Sequence, residues 1–237
     1  MRNFLTFDGV DCRDFGVYIS GQGTFSAPAR AYEMQEIPGR NGALIGYDAH
    51  LQNTELTYQA FVYSNFRESI RGFRNFLLSR VGYKRLIDTY HPDEYRMACY
   101  VGPFEPDVLS DNKAGSFEIM FTCKPQRYLL SGENVITMTA TGAIFNPTLF
   151  DAQPIMRVYG NGTIDIGTGS FLSVDANPYP YIDIDFAMME AFSGDYNCNE
   201  YISLSDNDFP VIPPGSTTLT LSAGITKLEI TPRWWQV

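Results

Sequence analysis

The sequence predicts a mainly β protein with one helix, divided into two units, and three observations carry that prediction. Aromatic residues reach 14% of the 237 residues, and 20 Gly and 14 Pro punctuate the chain, a mixture that favours strands and tight turns over long helices. Period-two alternation of apolar and polar residues recurs along the chain, whereas one convincing stretch has the 3.6-residue helical period. Charge is distributed unevenly: residues 1–130 carry 14 Lys and Arg against 15 Asp and Glu, and residues 131–237 carry 3 against 12. Such a shift is what two separately folded units give. The polar joint Ser131-Gly132-Glu133-Asn134 is the expected boundary, dividing the chain into 1–130 and 131–237.

The first residues hold no apolar run ahead of Asp8, so no secretory signal is expected. No stretch approaches the ~18 consecutive apolar residues of a membrane span. Asp14-Phe15-Gly16 matches a kinase tripeptide in letters only and leads into a strand at Val17-Tyr18-Ile19. Residues 21–54 lack a strong period and read as one long loop, and unstructured loops beyond about 15 residues are uncommon unless they bind something. Leu56, Tyr58, Ala60 and Val62 then alternate with Thr57, Gln59, Phe61 and Tyr63, a strand with one apolar face. Phe66, Ile70, Phe73 and Leu77 follow at i, i+4, i+7 and i+11, which predicts a helix within 64–82, with Ser64 as N-cap and Gly82 just past its end. Phe117, Ile119, Phe121 and Cys123 share one face of a further strand, opposite Glu118, Met120, Thr122 and Lys124. A single helix against an antiparallel sheet makes the first unit an α+β, sandwich-like layer.

In the second unit Ile164 and Ile166 alternate with Thr163 and Asp165, and Ile182, Ile184 and Phe186 with Asp183 and Asp185. Leu219, Leu221, Leu228 and Ile230 continue the pattern, and Asn161-Gly162 predicts a two-residue hairpin turn. Short strands with turns between them imply an antiparallel β-sandwich with its acidic residues on the wet face.

Catalytic chemistry has little to stand on. The two histidines, His50 and His91, lie in polar, turn-like segments without the i, i+4 partner of a zinc helix. No nucleophile elbow, P-loop or S-x-x-K motif is present, and no cofactor or metal is expected. Asp183 and Asp185 could pair as carboxylates, but they read as a solvated strand face. Asp206-Asn207-Asp208 lacks the Gly and distal Glu of a calcium loop and reads as a turn. The four cysteines, Cys12, Cys99, Cys123 and Cys198, are scattered and read as reduced thiols of a protein made in a cytosol. A net charge of −10 argues against a nucleic-acid binder. Arg67, Arg71 and Arg74 form a basic stripe along the exposed side of the helix, where like charges repel, so an acidic surface is a candidate cover.

Several segments resemble the siphophage distal tail proteins (Dit). Phe7-Asp8-Gly9-Val10-Asp11-Cys12-Arg13-Asp14-Phe15-Gly16-Val17 looks like the start of that family, with Cys12 where Ser is common. Ile37-Pro38-Gly39-Arg40-Asn41-Gly42 resembles its Pro-Gly-Arg-Asn/Asp-Gly segment, and Phe121-Thr122-Cys123-Lys124-Pro125 the strand closing its N-terminal domain. Asn146-Pro147, Gln153-Pro154-Ile155, Tyr159-Gly160-Asn161-Gly162, Phe209-Pro210-Val211-Ile212-Pro213-Pro214-Gly215 and Pro232-Arg233-Trp234-Trp235 are similar to successive parts of its C-terminal sandwich.

That resemblance implies a non-enzymatic structural protein of a phage tail tip. The N-terminal domain would be of tail-tube type and form a homohexameric ring continuing the tail tube. The C-terminal sandwich, galectin- or carbohydrate-binding-module-like, would point outward. Implied partners are the tail tube protein, the tail-associated or tail fibre protein, receptor-binding proteins and the tape measure protein. DNA would pass through the lumen without sequence-specific contact, and no membrane is involved. Interface candidates are Pro38, Gly39, Arg40, Asn41 and Gly42, with Arg40 pairing across subunits, and the stripe Arg67, Arg71 and Arg74. Two alternatives stand beside this reading. One is a carbohydrate-binding β-sandwich using Tyr179, Tyr181, Trp234 and Trp235, and the other is a hydrolase built on Asp183 and Asp185.

Overall fold

The structure, a computed structural model, describes residues 2–20, 25–46, 50–109, 113–167, 169–205 and 208–237. It is mostly strand with one α-helix among the described residues, and it divides into two compact units, Met1–Arg127 (with Val237) and Tyr128–Gln236.

The first unit contains β1 (Leu5–Phe7), β2 (Val10–Asp11), a 3-10 turn (Cys12–Phe15), β3 (Tyr18–Ser20), β4 (Met34–Glu36), β5 (Ala43–Ile45), β6 (Thr54–Val62), α1 (Phe66–Ser79), β7 (Lys84–Asp88), β8 (Glu94–Tyr100), β9 (Asp107–Leu109) and β10 (Ala114–Leu129), the last running two residues past the unit boundary. Its main sheet has the order β2-β1-β7-β8-β10-β6-β3, with β9 also on β10. Asp8 and Gly9, both at positive φ (49° and 77°), make the tight β1–β2 turn, the geometry for which Asp-Gly is suited. Antiparallel pairing sets Leu56 against Phe121, Tyr58 against Ile119 and Ala60 against Phe117, so the apolar faces of β6 and β10 coincide. Helix α1 covers that face with Phe66, Ile70, Phe73, Phe76 and Leu77. Ring contacts of 6.2 Å (Phe7–Phe76) and 6.1 Å (Phe73–Phe117) tie helix to sheet, and one of 4.9 Å joins Phe7 to Phe121 within the sheet. Each large apolar side chain buried there stabilises the unit by about 1.5–3 kcal/mol.

The helix ends differ from expectation. Asn65, not Ser64, occupies the N-cap, at φ 51° and without a side-chain capping bond, and its carbonyl accepts from the Glu68 and Ser69 amides. At the other end the chain leaves the helix at Arg80, two residues before Gly82. There the Ser79 hydroxyl donates back to the Phe76 carbonyl at 2.8 Å, local competition of the kind that favours termination.

Two core thiols give this unit a pH signature. Burial pushes the Cys12 thiol up to about 12 and the Cys123 thiol up to about 11, from 9.0. The Leu5 amide donates to the Cys12 sulfur at 3.3 Å. Because the folded pKa values lie above the unfolded ones, this contribution is complete below about pH 9 and is lost as the pH rises towards 11–12. The expected result is a urea midpoint for the first unit that falls across that window. At pH 8 a thiol reagent should leave Cys12 and Cys123 unmodified until the chain is unfolded. Prompt labelling of either in the folded protein would contradict the assignment.

The second unit contains a 3-10 turn (Leu130–Glu133), β11 (Ile136–Met138), β12 (Gly142–Asn146), β13 (Ile155–Asp165), β14 (Phe171–Asp175), β15 (Ile182–Asp185), β16 (Glu190–Ser193), β17 (Tyr196–Asn197), β18 (Ile202–Leu204), β19 (Gly215–Leu221), β20 (Ile225–Thr231) and β21 (Trp235–Gln236). Strand β13 belongs to both sheets. Its first half lies in β11-β20-β13-β15-β16-β17, and its second half pairs with β14 and β19, which carry β18 and β12. Met156, Val158, Ile182, Ile184, Leu228 and Ile230 from one sheet meet Ile164, Leu172, Val174 and Leu219 from the other in one buried cluster.

The shared strand overturns the Asn161-Gly162 hairpin expectation. The dipeptide lies inside β13, beside a register shift between Tyr159 and Gly160, where the strand turns from one sheet into the other. A Cβ on Gly160 (φ 93°) would sit 2.3 Å from the Gly224 carbonyl oxygen, and one on Gly224 would sit 1.8 Å from that of Asn161. Here glycine serves close backbone approach at a corner instead of a reversal.

Candidate functional site

The segment expected to be a loop is a two-stranded ribbon. Gln52 donates to the Ala29 carbonyl and Ala31 to that of His50, both at 2.9 Å, and Arg30 bridges Leu51. Farther out Gly46 donates to Glu33 at 2.7 Å, and β4 pairs with β5 as Met34–Ile45, Gln35–Leu44 and Glu36–Ala43. Ile37-Pro38-Gly39-Arg40-Asn41-Gly42 is the connection at its tip, closed by the Arg40 amide donating to the Ile37 carbonyl at 3.1 Å. Gly39 and Gly42 stand at φ 82° and 83°, which a residue with a Cβ rarely adopts. Sequence periodicity missed this ribbon because alternation marks a strand only when one face is buried, and every residue of β4 and β5 is exposed.

That exposure is the feature with functional content. Met34 is 65% exposed, Ile45 57%, Tyr32 46% and Leu44 44%. Met34 and Ile45 are cross-strand partners on one face, and Leu44 lies on the other. A two-stranded ribbon with no core is marginal by itself, and apolar residues grouped in the open mark an interaction surface. Its root is anchored. Phe25 packs edge-on against His91 with ring centroids 4.8 Å apart, and buried Asp88 accepts from the Tyr58 hydroxyl at 2.5 Å and from the His91 amide at 2.9 Å. Burial and the Asp88 charge push the Tyr58 hydroxyl well above its ordinary value.

Arg67, Arg71 and Arg74 are exposed on α1, and none of them pairs with a carboxylate among the described residues. Leu78, 60% exposed, prolongs the same stripe at i+11. The unit also carries a groove of about 350 Å³ lined by Glu105, Asp107 and Glu118 with Gln59.

The residues singled out in the second unit are held in separate settings. Trp234 is buried at 4% exposure and packs in the core. Trp235 stacks on Phe150 at 4.3 Å and donates from Nε1 to the Asp151 carbonyl at 2.9 Å. Tyr181 lies under the Arg157 guanidinium, 4.2 Å from ring centroid to Cζ, while Tyr179 meets Tyr201 edge-on at 5.4 Å.

Asp183 and Asp185 do not form a solvated acidic face. Asp183 is 6% exposed and receives two bonds from Arg157, at 2.7 and 2.9 Å, while Asp185 pairs with Arg233. The reason is register: β13 lies beside β15 with Arg157 directly opposite Asp183. The hydrogen bonds that Arg157 donates to Asp183 push the guanidinium further above its ordinary value. Neither carboxylate is placed as a catalytic acid or base. Asp206 and Asn207, of the turn expected at Asp206-Asn207-Asp208, lie outside the described residues.

Comparison with known proteins bears on this architecture. Residues 10–123 match the profile of the phage tail protein RIFT-related domain family. No curated protein sequence matches the chain. Among solved structures the chain is similar to the Dit protein of phage SPP1, described as a paradigm of the hub adsorption apparatus in phages infecting Gram-positive bacteria. The TM-score is 0.76 at 17% identity, covering 97% of this chain and 98% of that one. Residues 10–123 therefore carry a phage tail protein RIFT-related domain, and the whole chain has the fold of a siphophage distal tail protein.

Proposed function

We propose that this protein is the hub of a long non-contractile tail, six copies closing a ring through the first unit and joining the tail tube to the tail tip. The observation that carries the reading is the exposed ribbon, a rooted pair of strands with apolar residues on both faces and no core of its own. A head-to-tail contact, in which one surface meets a different surface of the next copy, closes into a ring when the rotation permits. The ribbon, with Pro38, Gly39, Arg40, Asn41 and Gly42 at its tip, laps the adjacent copy, and Arg40 pairs with a carboxylate there. The basic stripe of Arg67, Arg71 and Arg74 and the groove of Glu105, Asp107 and Glu118 supply opposite charges for the same kind of contact.

In this reading the tail tube protein lies on one side of the ring and the tail-associated or fibre protein on the other. The tape measure protein and the DNA use the lumen, and the second unit anchors receptor-binding or fibre proteins. The protein is made in the host cytoplasm, to which its four free cysteines are suited, and its place is structural, not catalytic. Negative-stain electron microscopy of the purified chain tests the ring. Six-fold rings, single or back-to-back, are the expected result, and a monodisperse monomer at tail-assembly concentrations would overturn the reading.

A further inference from the structure

We propose that the second unit binds an uncharged glycan in an open groove on the outer face of the sheet formed by β13, β14 and β18. The groove has a volume of about 580 Å³, and Thr163, Ser173, Ser203, Asp175, Glu200 and Tyr201 are among its lining residues. Its floor is a row of hydroxyls. Thr163 pairs with Ser173, and Ser173 with Ser203, so the three side chains project from one face of three successive strands, about 4.8 Å apart from strand to strand. Their neighbours Ile164, Leu172 and Val174 are buried, which fixes the hydroxyl face as the outer one. None of the three hydroxyls bonds to another described residue. A flat row of groups that both donate and accept suits a polyol, whose own hydroxyls do the same.

The walls add two further elements of such a site. Asp175 accepts from the Asn177 amide with one oxygen, at 3.2 Å, leaving the other to accept from a ligand hydroxyl. Tyr201 is braced edge-on by Tyr179, whose ring in turn lies 6.1 Å from that of the exposed Tyr196. A braced, half-exposed tyrosine offers an apolar ring face with a polar tip. Tyr179 thus acts behind the groove, as support for the ring that lines it.

Charge selects the ligand. Residues 131–237 contain three cations, Arg157, Lys227 and Arg233, and each is paired with a carboxylate: Asp183, Glu229 and Asp185. With 12 acidic residues against these three paired cations, the segment keeps a net charge of −9. Phosphate-bearing and uronate-bearing polymers are repelled, whereas a neutral oligosaccharide is not. This proposal does not depend on ring formation, so a failure of one leaves the other standing.

The test uses the full chain on an array of soluble neutral oligosaccharides of hexoses and N-acetylhexosamines, printed beside phosphorylated and uronate glycans. Positives are titrated by calorimetry. Saturable binding of at least one neutral oligosaccharide is expected. Weakening of about tenfold or more is expected for Ser173→Ala combined with Ser203→Ala, and for Asp175→Asn. Phe145→Ala, at an exposed position that is not a lining residue, should bind as the parent does. All these substitutions are at the surface, and an unchanged melting curve verifies that each variant folds. Three results would overturn the proposal: no neutral oligosaccharide saturating below about 10 mM, binding confined to acidic glycans, or binding indifferent to the Ser173 and Ser203 changes.

Discussion

Replacing residues 35–46 with a short turn is expected to leave the chain folded and to abolish its assembly. The deletion removes the ribbon tip with Pro38, Gly39, Arg40, Asn41 and Gly42, together with exposed Ile37, Leu44 and Ile45. None of these residues belongs to the core cluster of the first unit, so its melting temperature should hold. In the proposed ring their contribution lies in association. Apolar anchors at the centre of an interface are each worth about 2 kcal/mol or more on truncation, so losing several together lowers affinity beyond detection at micromolar concentration. Size-exclusion chromatography with light scattering measures this directly, with far-UV circular dichroism as the check on folding. Arg40→Ala separates the tip's charge from the ribbon's apolar faces and should weaken assembly most at low salt. Intact hexamers from the deletion would show that the ribbon is ornamental to the ring.

Gly224→Ala is expected to destabilise the second unit by about 3 kcal/mol. The methyl group would lie 1.8 Å from the Asn161 carbonyl oxygen, and that oxygen is backbone, so no side-chain rotation relieves the contact. The corner is held from the other direction as well, by the Asn161 amide donating to the Gly224 carbonyl at 3.0 Å. Separating the two segments therefore breaks the bond that steers β13 from one sheet into the other. Gly194→Ala is the contrast: φ is 59° but nothing lies within 4 Å, so only the left-handed backbone is penalised, at about 1 kcal/mol. Urea unfolding followed separately for the two units should move the second transition and leave the first in place. A change at Gly224 no larger than that at Gly194 would mean the corner relaxes freely, against this account.

The contrast between these glycines shows where reading a sequence succeeds. The helix stripe of Phe66, Ile70, Phe73 and Leu77 and the alternation in β6 and β10 are local patterns, and each was legible because one face is buried. The mainly β class with one helix follows from them, and the ordered motifs from Phe7 to Trp235 pointed to the distal tail fold that the structure has. Where both faces are wet, as in β4 and β5, periodicity carried no signal and the ribbon passed for a loop. Asn161-Gly162 failed for another reason: its letters suit a hairpin turn, but it lies inside β13, where the Asn161 carbonyl packs closely against Gly224.

The proposed sites divide along the same line. Arg67, Arg71 and Arg74 could be placed on one exposed face from spacing alone, since 3.6 residues per turn is an intrinsic property of the backbone. No local rule could pair Asp183 with Arg157, 26 residues away, or set Thr163, Ser173 and Ser203 in one row across three strands. By itself the sequence determined the elements that bury one apolar face, such as β6, β10 and α1, and the segregation of negative charge into residues 131–237. Which strands became neighbours, which carboxylates met cations, and which hydroxyls were left facing solvent were decided by the tertiary structure, because strand pairing is set by contacts between residues far apart in the chain.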